Sequence, residues 1–159
     1  MVNKYYLGID PGMGGGLATI SDGSSTLIPV DASPMPKTER DIWNWICQTS
    51  HAQVAMIEKV QGYIGNAQPG SAMFKFGMSY GGLRMALIAA SIPFEEVTPQ
   101  KWQKALGIAP RKKNESKGQF KNRLKAKAQQ LYPNEKVTLA TADALLIATY
   151  CKRKHEGTL

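Results

Sequence analysis

Lys4-Tyr5-Tyr6-Leu7-Gly8-Ile9-Asp10, followed at once by Pro11-Gly12 and then Gly14, Gly15 and Gly16, is the stretch on which the fold turns. Its aromatic and branched residues suit a strand, and the proline and glycines end it in a turn. An apolar strand that closes on a carboxylate is a costly place for a lone charge, so a cation is a sensible partner. Residues 17–21 read as a second strand, and Asp22-Gly23 is a hairpin signal leading to a third at residues 26–30. Ser33-Pro34 and Pro36 are expected to break that pattern.

Further on, residues 37–50 read as a helix with Ile42, Trp45, Ile46 and Thr49 on one stripe. Residues 54–58 form a second apolar strand ending in a carboxylate, Glu58. Residues 61–70 read as a glycine-bearing loop and 71–91 as a long helix, in which Gly77, Gly81 and Gly82 imply that something packs closely. A strand at 95–98 runs into a helix capped by Thr98 with Pro99 at its first position. After a charged loop at 111–116, a helix at 117–131 puts Phe120, Leu124, Ala128 and Leu131 on its apolar side. Pro133 stops it, and a last helix at 139–154 is capped by Thr138. The order βββαβαβααα implies an α/β domain, a mixed sheet covered by helices.

The chain has 159 residues, the usual span of one domain, so residues 1–159 are read as a single unit. With 43% apolar and 20% charged residues it is an ordinary globular composition rather than a disordered one. Two cysteines, Cys47 and Cys151, are too few for a disulfide scaffold and have no CxxC partner for zinc. No apolar run reaches the roughly 18–20 residues of a membrane span, and Asp10 interrupts any signal-like stretch. The expectation is a cytoplasmic protein that does not engage a membrane.

The net charge of +8 is unevenly placed. Lys101, Lys104, Arg111, Lys112, Lys113, Lys117, Lys121, Arg123, Lys125 and Lys127 face a single acid, Glu115, across residues 101–130, a local excess of +9 that leaves −1 for the remainder. Such a field suits a polyanion such as nucleic acid.

Three carboxylates occupy informative places: Asp10 and Glu58 at strand ends and Asp143 in the first turns of the last helix. If the first and fourth strands are parallel neighbours, their ends share the crevice where open α/β sheets bind ligands. Oxygen ligands select hard cations such as Mg²⁺ or Mn²⁺. Each acid alone is better explained by a surface or helix-capping role; the set, beside a basic segment, points to a metal-dependent nuclease. His51 and His155 lie in polar sequence at helix ends and read as solvated. No G-x-S-x-G is present, and residues 12–16 lack the Lys-Ser/Thr of a phosphate loop.

Together, Leu7-Gly8-Ile9-Asp10-Pro11-Gly12, Ile57-Glu58-Lys59-Val60, Phe74-Lys75-Phe76-Gly77 with Gly81, Lys117-Gly118-Gln119-Phe120 and Ala142-Asp143-Ala144-Leu145-Leu146-Ile147-Ala148 resemble the RuvC Holliday-junction resolvases. The likeness runs through nearly the whole chain in the family's order and is greatest to short phage-encoded members, which implies a bacterial host cell. It implies an RNase H-like fold with a five-stranded mixed sheet, and Mg²⁺-dependent nicking of two like-polarity strands at a four-way DNA junction.

Carried onto this chain, the resemblance makes Asp10, Glu58, Asp143 and Lys117 the catalytic set. Asp10 bridges two Mg²⁺ ions, with Mn²⁺ an alternative, while Glu58 holds one and Asp143 the other. Lys117 meets the scissile phosphate. Lys104, Arg111, Lys112, Lys113, Lys117, Lys121 and Lys125 follow DNA phosphates, and Tyr63 is the nearest aromatic to the position where the family stacks on bases. The glycine-bearing helix implies a homodimer. One departure stands out: Ala140 occupies the position, three before Asp143, where the family commonly carries a fourth metal-site Asp or His. That leaves open a branched-DNA-binding protein with impaired catalysis. An actin-like or sugar-kinase ATPase shares the opening Gly-Ile-Asp but needs two such domains.

Overall fold

The computed structural model describes residues 4–23, 30–59 and 70–159. β1 (Tyr5–Asp10), β2 (Gly16–Ser21) and β3 (Val30–Pro34) form an antiparallel meander. α1 (Glu39–Gln48) leads to β4 (Val54–Glu58), parallel to β1, and α2 (Gly70–Ala89) leads to β5 (Phe94–Val97), parallel to β4. α3 (Pro99–Ala105), α4 (Lys117–Leu131) and α5 (Leu139–Glu156) follow. The result is a five-stranded mixed sheet, ordered β3-β2-β1-β4-β5, with helices on both faces.

The central strands are covered on both sides, which is why their sequences are apolar at odd and even positions alike. Side chains nevertheless alternate between faces. Leu7, Ile9, Leu17, Ala55 and Ile57 pack with Ile42 and Ile46 of α1 and Leu83 and Leu87 of α2. Tyr6, Ala18, Ile20, Val54 and Met56 pack on the other face with Trp102, Leu124, Ala128 and the buried run of α5. By the same alternation Gly8, Asp10 and Glu58 belong to the α5 face.

α5 lies directly against β1 because Gly8 has no side chain. A Cβ there would run into the Ala144 carbonyl and the Ala148 backbone. At Gly16 it would come within 2.6 Å of the Ala140 carbonyl and 2.7 Å of that of Ser33. The first turns of α5 are therefore seated on the ends of β1 and β2. Capping fixes their start: Thr138 accepts a hydrogen bond from the Thr141 amide, and its own amide donates to the Thr141 hydroxyl.

Three expectations need correction. The third strand runs on over Val30–Pro34, beyond the expected end at residue 30, and Ser33-Pro34 is paired with Leu17 and Gly16 instead of breaking it. As an edge strand, β3 tolerates a terminal proline that donates nothing to the ladder. Residues 26–29 of that expectation lie outside the described residues. Gly77, Gly81 and Gly82 do not answer a close contact among the described residues: a Cβ at any of them meets none of these within 4 Å. His155 is exposed, yet its Nε2 lies 3.1 Å from Glu95, which also pairs with Lys154.

Candidate active site

The parallel register Tyr6↔Val54 through Ile9↔Ile57 leaves Asp10 and Glu58 as the next residues of two neighbouring strands. Both sit at carboxyl ends on the face that α5 covers. Asp143 comes to them from the second turn of α5, held there by the Gly8 and Gly16 contacts. Asp10 is 9% exposed and Asp143 4%, while Glu58 is half-buried. The structure thus brings together the three carboxylates singled out from the sequence.

Their proximity shows in their protonation. Burial, then repulsion from Asp143 and Glu58, pushes the Asp10 carboxyl up to about 8. Burial also raises Glu58; a hydrogen bond from the Trp102 indole works against it, and Asp143 adds to the rise. Lys121, on α4, is the cation of the cluster and is hydrogen-bonded to Asp143 Oδ2. Burial alone would lower its ammonium, but attraction to Asp143, that hydrogen bond, and the charges of Asp10 and Glu58 outweigh it and raise it.

Among the described residues, no group of three or more His, Cys, Asp or Glu side chains is arranged as it stands to hold a metal ion. The donor chemistry still fits a hard cation. Asp143 Oδ1 is buried with no hydrogen-bond partner among the described residues, which is costly for a carboxylate oxygen. The rise of the Asp10 carboxyl comes first from burial, with repulsion from Asp143 and Glu58 adding to it and Lys121 working against it.

The basic residues separate into distinct roles. Arg123 is structural: it donates to both Glu115 carboxylate oxygens and to the Ala109 and Pro110 carbonyls, tying down the loop before α4. Glu115 also accepts from the Lys112 amide, and its carbonyl accepts from Arg111 at 3.2 Å. Lys104, Arg111, Lys112, Lys113 and Lys117 are exposed, and Lys125 is half-buried. Lys117 stands at the first residue of α4, one turn before Lys121, and it is Lys121 that meets the acids. Tyr63 lies outside the described residues.

Two contacts are invisible in the sequence. Trp102 Nε1 donates to Glu58 Oε2 at 2.8 Å across 44 residues of chain, and Lys121 reaches Asp143 across 22. Residue type hints at each, a tryptophan in an apolar helix and a lysine beside an apolar stripe, but spacing cannot join residues so far apart.

No family model and no curated protein matches the chain. Solved structures do. RuvC of T. thermophilus in complex with a Holliday junction substrate superposes with a TM-score of 0.66 at 17% identity, covering 98% of this chain and 97% of that one. A second Thermus thermophilus RuvC structure gives 0.61 at 18% identity, covering 97% of each chain. The superposition runs end to end over the five-stranded mixed sheet and its flanking helices, and the chain has the RNase H-like fold of RuvC.

Proposed function

We propose that the chain is a divalent-metal-dependent endonuclease that resolves four-way DNA junctions by nicking two strands of like polarity. The observation that carries this reading is the gathering of Asp10, Glu58 and Asp143 on one face of an RNase H-like sheet, beside the basic α3–α4 segment. The structures of like fold include one of RuvC with a Holliday junction substrate.

Asp10, Glu58 and Asp143 would hold the Mg²⁺ ions in this reading, with Asp10 in the shared role that the family resemblance gives it. When bound, such ions activate water and stabilise both attacking and leaving oxygens of an in-line displacement. Asp143 Oδ1 would supply an oxygen that no described residue hydrogen-bonds. Lys121, released from Asp143, places its ammonium where charge builds on the phosphate, a role that the family resemblance assigns to Lys117. Lys104, Arg111, Lys112, Lys113, Lys117 and Lys125 position the backbone without reading sequence. Ala140 contributes no ligand, so Ala140→Asp should lower the Mg²⁺ concentration needed for half-maximal cleavage.

A four-way junction is two-fold, and a two-fold dimer of this chain matches it. α2 offers the surface: Phe74, Met78, Met85 and Ile88 are 68%, 57%, 60% and 58% exposed. With Gly81 they fall at alternating spacings of four and three, the seam of a helix pair.

The test is cleavage of an end-labelled four-way junction and of linear duplex in Mg²⁺. Wild type should nick the junction in preference; Asp10→Asn should bind it equally and leave it intact. Binding without nicking by wild type would instead identify a branched-DNA-binding protein of the same fold.

A further inference from the structure

Trp102 occupies the fourth residue of α3 and is completely buried in the α5-side core. Its indole nitrogen is a donor only, and a buried donor must find an acceptor. That acceptor is Glu58 Oε2 at 2.8 Å.

The surrounding backbone fixes this pairing. Glu58 pairs in register with Val97 at the end of β5, and the Lys59 amide donates to the Val97 carbonyl at 2.7 Å. α3 starts two residues later, at Pro99, whose fixed φ suits a first helical position. Its first turn closes on the Thr98 carbonyl, and the Leu106 amide donates to the Trp102 carbonyl at 3.1 Å. A large ring locked in the core on a short, pinned helix has no freedom to turn its N–H elsewhere. Phenylalanine or leucine would fill much of that space; only the indole adds a donor aimed at a carboxylate.

We infer that Trp102 is a positioning residue, which holds Glu58 by Oε2 and so presents Oε1 to the metal. The inference rests on the metal-site reading above. A carboxylate at a strand end otherwise rotates among several rotamers, and fixing it lowers the entropy lost when an ion binds. Groups that hydrogen-bond to metal ligands in this manner are worth about 10–100-fold in metal affinity.

Trp102→Phe removes the N–H and keeps an aromatic ring. Calorimetric Mn²⁺ titration of the variant should give a dissociation constant raised about 10–100-fold over wild type, with the same far-UV circular dichroism; unchanged affinity in a folded variant overturns the inference. A second measurement needs no variant to fold. Wild type labelled with ¹⁵N at its three tryptophans, Trp43, Trp45 and Trp102, shows three indole N–H resonances. Mg²⁺ should move that of Trp102 along the binding isotherm and leave the other two in place. A Trp102 signal indifferent to bound Mg²⁺ overturns the proposal and leaves the metal site standing, whereas a wild type that binds neither ion takes down both.

Discussion

α5 and α2 are both long helices with apolar residues on all sides, yet the molecule treats them oppositely. From Thr141 to Cys151 every residue of α5 is buried, its polar members included. Along the twenty residues of α2 only Leu83 and Leu87 are buried. A helix apolar all round is expected to be covered. α5 finds its cover inside the chain, because Gly8 and Gly16 let the sheet approach its backbone and α4 closes its outer side. α2 is pinned along one edge, where Tyr80 donates to Glu96 at 2.6 Å and Arg84 lies 3.5 Å from the same carboxylate. Its other side has no cover among the described residues. One helix builds the site; the other is the surface we assign to a second copy.

The difference predicts where substitutions hurt. Gly8→Val sets two methyl groups against the α5 backbone, and such overpacking costs about 3 kcal/mol, a fall in Tm of about 10 °C at 2–4 °C per kcal/mol for a domain of this size. Thermal denaturation that leaves the variant within about 2 °C of wild type would show that α5 does not depend on the bare backbone at Gly8. On α2, by contrast, Met85→Glu with Ile88→Glu should leave the protomer folded and turn a dimer into a monomer by light scattering. Loss of fold without change of mass would mean that this face is covered by the chain itself.

Titration sharpens the same contrast, because only the α5 side holds crowded acids. Asp10 ionises near 3.8 in the unfolded chain and at about 8 in the folded one. Between those values the unfolded chain releases a proton that the folded protein keeps, so stability falls as pH rises across that window and levels off above it. Asp10→Asn escapes this loss. Without metal, its Tm should match wild type near pH 4 and exceed it by several degrees at pH 8; an advantage independent of pH would show that Asp10 is not crowded.

The smallest effect belongs to the exposed loop before α4. Lys112→Ala with Lys113→Ala touches no acid of the site. It should lower the slope of log K against log salt for junction binding by about 0.9 for each phosphate no longer neutralised, leaving the cleavage rate at saturating protein unchanged. An unaltered slope would place the DNA elsewhere.

Much of this is legible in the sequence, for identifiable reasons. Strand ends at Asp10 and Glu58 stand out because an apolar run closes on a charge. The starts of α4 and α5 are marked by Ser116 and Thr138, both of which cap as their residue types suggest. The far end of β3 is missed from sequence because an edge strand carrying Asp31, Ser33 and Pro34 lacks the apolar pattern of a buried one. The glycines of α2 signal a close approach, but not one made among the described residues. Most opaque are the partners of the acids: Lys121 and Trp102 arrive through the packing of α4 and α3 against the sheet, which no local pattern encodes.

Everything proposed for the site depends on α5 delivering Asp143 to the two strand-end carboxylates to make one reaction centre. The decisive experiment is single-turnover nicking of a labelled four-way junction in Mg²⁺ by Asp143→Asn, with junction affinity measured alongside. Wild-type affinity with no detectable nicking is the expected result; nicking at the wild-type rate would contradict it.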